Sequence, residues 1–231
     1  MRPPQTTVKR RSDNLSGNLG GILSGLLALG VLLGLAPTTQ TLAADSSYTS
    51  IAEKRCRKFD RVMIGGNEYA ATRVCDGRGG YKVFVREDDL RDVLTVGRTL
   101  EQAGNEPAAA DGYEAFNSYD DTIEWRSGAD RKPYALIAGW SYADNENRDA
   151  DGRPKSLQLL VVMRLPPGPV CKVAYIDRAA NGNANALARQ AADEIAPAFK
   201  CGTDKVRILG ARGRAIEALS LPSDAKDDQT K

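Results

Sequence analysis

Histidine does not occur anywhere in this chain of 231 residues. Its absence removes the commonest general base, the Ser–His and Cys–His nucleophile pairs, and most zinc ligand sets. No C-x-x-C pair occurs, so a thioredoxin-like redox motif is unsupported. A G-x-S-x-G nucleophile elbow is also missing. Gly77-x-Gly79-Gly80 lacks the spacing of a dinucleotide loop and precedes a strand rather than a helix. Nor is there a strong charge excess: 32 basic against 30 acidic residues give a net +2. Four of those basic residues and one acid fall in the first 44 positions. The rest of the chain then carries about one net negative charge, which gives nucleic-acid binding no electrostatic footing.

What the N-terminus does have is an ordered set of export signals. Arg2, Lys9, Arg10 and Arg11 precede the uncharged apolar run Leu19–Ala36, and Pro37 and the small residues around Thr41-Leu42-Ala43-Ala44 follow it. That order is the secretory signal-peptide pattern, with removal expected after Ala44. Retained instead, the 18-residue run is at the lower limit for a spanning helix and would tether the protein to a membrane. Its Gly21-x-x-x-Gly25 and Gly30-x-x-x-Gly34 have the spacing of close helix pairs. Arg10-Arg11 raises the twin-arginine route, but Ser12-Asp13-Asn14 supplies no apolar pair after it, which favours general secretion. The expected location is periplasmic or secreted. The expected organisation is a signal peptide over 1–44, one domain over 45–210, and a flexible, charged tail over 211–231.

All four cysteines, Cys56, Cys75, Cys171 and Cys201, lie beyond the export segment. An even count in an exported chain argues for two disulfides. Two geometric arguments pair them. If Gly65-Gly66 is a two-residue hairpin loop, paired residue numbers sum to 131 and Cys56 falls opposite Cys75. Further on, a strand from Cys171 to Asp177 climbs roughly 23 Å. A helix over 183–199, with Asn183 as its cap and Leu187, Ala191, Ile195 and Phe199 as its apolar stripe, returns about 20–24 Å. That brings Cys201 back to Cys171.

Four strands precede that helix: Tyr119–Arg126, Pro133–Ser141, Ser156–Leu165 and Pro169–Asp177. In the first, Tyr119, Asp121, Ile123 and Trp125 share one face, and Asp120, Thr122, Glu124 and Arg126 share the other, as in a half-exposed strand. PYALIAGWS and LQLLVVM are apolar on nearly every residue, so those strands need cover on both faces. The helix supplies one cover. The N-terminal hairpin or the segment Leu90–Leu100 supplies the other. Residues 45–50 read as a loose lead-in, and Ile51–Phe59 reads as helix or strand. Tyr81–Arg86 reads as an alternating strand. Leu90, Val93, Leu94 and Leu100 have helical spacing behind Asp88, which favours a helix over a short Leu94-Thr95-Val96 strand. The fold class expected is α+β: an antiparallel sheet of four or more strands, one amphipathic C-terminal helix and two disulfides.

Several of these segments resemble a group of small uncharacterised exported proteins of Gram-negative bacteria. The residues concerned are Gly80-Tyr81-Lys82-Val83-Phe84-Val85 with Asp89-Leu90-Arg91, Asp121-Thr122-Ile123-Glu124-Trp125-Arg126, and Ala186-Leu187-Ala188-Arg189 inside the Cys171–Cys201 segment. The resemblance implies export and a shared fold. It carries no catalytic signature.

Three constellations are candidates for function. Asn147, Asp149 and Asp151 precede Gly152 at the spacing of a calcium loop, with Gln158 at the twelfth position where a bidentate glutamate is expected. The plain alternative is a solvated acidic loop between two strands. Glu124 with Asp120 or Asp121 could form a carboxylate pair. Strand alternation puts Glu124 and Asp120 about 13 Å apart, beyond glycosidase separations, so an exposed Glu124–Arg126 charge pair is the simpler reading. Trp125, Trp140, Tyr134 and Tyr142 suit either a stacking platform or the core, and the core is the commoner use. The expected function is therefore a non-catalytic binding or interaction domain with an envelope or protein partner and no cofactor. The rivals are a carboxylate-based or calcium-assisted hydrolase, and a membrane-tethered envelope protein.

Overall fold

The computed structural model describes residues 44–64, 67–219 and 227–228. The signal-type segment up to 43, the Gly65-Gly66 loop and residues 220–226 and 229–231 of the expected tail lie outside the described residues. The elements are β1 (Asp45–Ser50), β2 (Arg57–Ile64), β3 (Asn67–Asp76), β4 (Lys82–Asp88), β5 (Arg91–Gly97), α1 (Leu100–Gly104), α2 (Pro107–Ala110), β6 (Asn117–Ser127), β7 (Pro133–Arg148), β8 (Pro154–Arg164), β9 (Cys171–Asp177), α3 (Ala184–Gln190), β10 (Arg207–Leu209), α4 (Arg214–Glu217) and β11 (Asp227–Asp228). No helix among the described residues is long and apolar enough to cross a membrane.

The eleven strands among the described residues join one sheet in the order β11-β10-β9-β8-β7-β6-β5-β4-β3-β2, and β1 pairs β6 off that path. The sheet is mixed, because β5–β6, β9–β10 and β10–β11 run parallel. The β5–β6 junction is a single residue pair, Arg91 with Asn117. There the sheet turns back on itself into two layers. Val83, Val85, Leu94 and Val96 of the first layer share one core cluster with Leu136, Ala138, Trp140, Leu159, Val161 and Met163 of the second. The opposite face of the second layer carries Ala135, Ile137, Leu160, Val162, Val173 and Ile176, which pack on the C-terminal helix. Covering both faces is what the near-continuous apolar runs of β7 and β8 require.

The expected four strands are all present, but several assignments change. Residues 45–50 are not a lead-in: β1 pairs β6 in register from Asp45↔Ser127 to Ser50↔Thr122. The Leu90–Leu100 segment is the strand β5, which supplies the second cover, and α1 begins only at Leu100. Its Thr99 hydroxyl accepts from the Gln102 N–H, an ordinary N-cap. Among the described residues, four short α-helices replace the single one. The main one continues from α3 into a π turn over Ala191–Ile195 and a 3-10 turn over Ala196–Ala198, where Pro197 ends it. Asn183 sits at its N-cap position without a side-chain cap bond. The buried stripe is Ala188, Ala191, Ala192 and Ala196, with Leu187 and Ile195 only partly buried. Alanine lets the helix lie close on the sheet, and the flanking larger side chains lean over the edges.

Both disulfides have the expected partners. In β2–β3 the register runs from Arg57↔Val74 to Ile64↔Asn67, the sum predicted from the Gly-Gly loop. Cys56 bonds Cys75 across it. Cys171 bonds Cys201 with Cα atoms 5.9 Å apart.

Nor does the chain loosen at Gly210, where the tail was expected to begin. Ala215, Ile216 and Leu219 are in the main core. Arg214 clasps the buried carboxylate of Asp144 through Nε at 2.9 Å and Nη2 at 2.7 Å, and Tyr142 donates to the Ala215 carbonyl. This guanidinium holds the Asp144 carboxyl below the usual carboxylate range, with the Asn147 amide and the Glu146 N–H helping.

Candidate functional site

A concavity of about 620 Å³ lies at the open end between the two layers. Strand alternation builds it. On β4 the inward row Val83, Val85 continues to Glu87; on β5 the row Val96, Leu94 continues to Asp92. The apolar rows thus end in two carboxylates directly opposite each other, Glu87↔Asp92. Arg73, opposite Val85 on β3, shares this face and donates from Nη2 to Asp92 Oδ2 at 2.9 Å.

Across the cleft, Asn117 opens β6 and bolts the layers together. Its Oδ1 accepts from the Asp92 N–H at 3.2 Å and from Trp140 Nε1 at 2.9 Å, while its Nδ2 donates to the Ala115 carbonyl at 3.0 Å. The lip is apolar. Leu90 is 61% exposed, Phe116 47% and Phe59 39%, and all three line the cleft. The Arg91 guanidinium lies 4.9 Å above the Phe116 ring.

Asp92 is the perturbed group here. At 7% exposure its burial raises the carboxyl above its ordinary value; Arg73 and the Tyr119 N–H oppose that rise, and the neighbouring Glu87 charge adds to it. A carboxyl whose folded-state pKa is raised loses stabilising free energy as pH climbs through the window above about 3.9, the unfolded value. The neutral isostere escapes that loss. Asp92→Asn is therefore expected to be more stable than the parent at pH 7 in urea melts, with the advantage gone below about pH 4. A variant less stable than the parent at pH 7 would show that the Arg73 pair outweighs burial.

The calcium-loop residues do not converge. Asp149 Oδ1 accepts from the N–H groups of Asp151 at 3.0 Å and Arg153 at 2.9 Å, closing the β7–β8 turn. Asn147 donates its amide to Asp144 Oδ2 at 2.8 Å. Gln158 stands in β8 opposite Ser141. Among the described residues no group of three or more acidic or cysteine side chains is placed to hold a metal.

The carboxylate pair on β6 is not assembled either. Asp120 pairs with Arg178 at 2.8 Å. Glu124 and Arg126, expected as an exposed pair, do lie as an ion pair at 4.0 Å, but both are buried and each has a closer partner. Arg189 grips Glu124 with bonds of 2.6 and 3.2 Å, and Arg126 grips Asp193 with bonds of 2.9 and 2.6 Å. Tyr134 donates to the same Asp193 at 2.6 Å; burial, reinforced by that bond, pushes its hydroxyl up to about 12. Ser46 bridges Arg126 to Glu124, and the Ala44 carbonyl accepts from Arg126 at 3.2 Å. This network ties β1 and the helix to β6. Trp125 and Trp140 are buried in the core, not arranged as a platform.

The cleft residues were missed by sequence reasoning because Glu87-Asp88-Asp89 reads as a helix start. A glycine at position 90 would have signalled the hairpin; leucine hides it. Comparison of the chain with protein-family models, with curated proteins and with solved structures finds no match.

Proposed function

We propose that this protein is an exported binding domain that holds a small amphipathic molecule in the cleft between its layers and does no chemistry on it. The observation that carries the reading is the cleft's division of labour. An apolar lip stands over a polar floor, as in sites that bury a ligand's body and orient it by a few polar groups. The two disulfides suit an oxidising compartment outside the cytoplasm.

The raised Asp92 beside Glu87 favours a carboxylate hydrolase as the second reading. Against it, Asp92 is engaged by Arg73 and by the Tyr119 N–H, which leaves it poorly placed to exchange a proton with a substrate.

Screening a fragment library by nitrogen-15 NMR tests the proposal. Hits are expected to shift the amides of Leu90, Phe116 and Asn117 and to weaken in Phe116→Ala. Hits clustered on another face would defeat the binding reading. Fragments converted to product in the parent but not in Asp92→Asn would establish the hydrolase.

A further inference from the structure

The turn joining β4 to β5 has two residues, Asp89 and Leu90, between the last pair Asp88↔Arg91. Both have positive φ, 47° and 62°. A two-residue hairpin of this kind favours Asn-Gly or Asp-Gly, because the left-handed region is free only to glycine and tolerable to Asn or Asp. Asp89 fits that rule and Leu90 breaks it. A leucine held there carries backbone strain. No burial offsets it, since Leu90 is 61% exposed. Its carbonyl accepts from the Asn117 N–H at 3.0 Å, which a glycine carbonyl would do equally well. Neither the turn nor the core accounts for the side chain. The cleft does: Leu90, Phe59 and Phe116 are three of the five large apolar side chains exposed among the described residues, and they share its lip.

The charge of the occupant follows from the wall beneath. Glu87 and Asp92 face each other across the strands, an arrangement of like charges that costs stability, and Asp60 lines the same wall. Of the cations nearby, Arg73 is bonded to Asp92 and Lys58 is paired with Glu53. Lys155 also lines the cleft, from β8 in the facing layer, and the lining still carries four carboxylates, Glu53, Asp60, Glu87 and Asp92, against three cations. Both lip rings already carry a cation over their faces, Arg91 on Phe116 and Arg57 at 5.9 Å from Phe59. An anionic head would meet Glu87 and Asp60 beside the Arg73-bound Asp92; a cationic one relieves them.

Building on the reading of the cleft as a binding site, we infer that its ligand is an amphipathic organic cation. Leu90, Phe59 and Phe116 seat its apolar body, and Glu87, exposed in the cleft wall, receives its charged end.

Calorimetry on the purified protein with octyltrimethylammonium, octyl sulfate and octyl glucoside, each below its micellar concentration, tests this. The ammonium is expected to bind one site about tenfold or more tighter than the other two. Leu90→Gly should raise the thermal midpoint yet weaken the ammonium about tenfold, the loss expected from withdrawing one leucine contact. Glu87→Gln should weaken the ammonium and leave the glucoside unchanged. Tighter binding of sulfate or glucoside that still depends on Leu90 would overturn the cation and leave the cleft standing. Ammonium binding indifferent to Leu90→Gly, or a lowered midpoint in that variant, would overturn the role given to Leu90. Failure of all three probes to bind would remove the inference and count against the cleft itself.

Discussion

Arg126→Ala is expected to destabilise the protein by about 3 kcal/mol, the lower edge of the range for breaking a buried ion pair by removing one partner. Arg126 is only 6% exposed and forks onto Asp193, and it also donates to Ser46 and to the Ala44 carbonyl. Removing it leaves Asp193 without its counter-charge but with the Tyr134 hydroxyl and 30% of its side chain's solvent contact, and that is why the lower edge applies. Glu124 keeps Arg189 and is not orphaned. Arg126→Lys should lose most of the same free energy, because an ammonium cannot reproduce the two parallel bonds of the fork. Urea melts of Arg126→Ala, Asp193→Ala and the double variant measure the coupling directly. A double variant no more stable than the sum of its singles would mean that the two side chains do not act as a pair. Loss of the network should also free β1, visible as faster amide exchange over 45–50.

The second large effect is covalent. Replacing Cys171 and Cys201 by alanine should cost about 3–4 kcal/mol, from the closure entropy of a loop whose ends are 30 residues apart. The bond joins the start of β9 to the chain just beyond the helix, so its loss loosens the whole outer cover rather than one strand. The Cys56–Cys75 loop, 19 residues, should contribute slightly less, about 3 kcal/mol. Urea midpoints of the two double variants rank them. If the Cys171–Cys201 variant melts at the parental midpoint, the helix is held by packing alone. The unreduced, unfolded parent should show no titratable thiol, since all four cysteines are bonded.

Much of this architecture was legible in the residue order, because the deciding physics is local. Period-two alternation and unbroken apolar runs mark β6 to β9 and demand two covers for β7 and β8. The register through the Gly-Gly loop and the matched lengths of the last strand and helix fix both cysteine pairings. The absence of histidine narrows the chemistry before any coordinate is seen. Errors occurred where two local signals compete. Glu87-Asp88-Asp89 can begin a helix or end a strand, and only the pairing of β5 with β4 along its length decides for the strand. Residues 45–50 have no apolar pattern to announce β1; their strand exists because β6 offers a free edge.

Function sits further from the sequence than fold does. Arg73, the Leu90–Asp92 turn and Phe116 come from three separate stretches and share a cleft only because the sheet folds back at the Arg91–Asn117 pair. The same folding burned the apparent sites away: it buried Glu124 and Arg126 with partners from the helix, and it set Asn147 and Asp149 to closing a turn. The sequence alone determined that β6 to β9 form, how the cysteines pair and which catalytic motifs do not occur, since each depends on spacing along the chain. Which charges face one another, and which apolar side chains stay in water, was decided by the packing of one layer on the other, because burial is a property of the assembled surface and of no single segment.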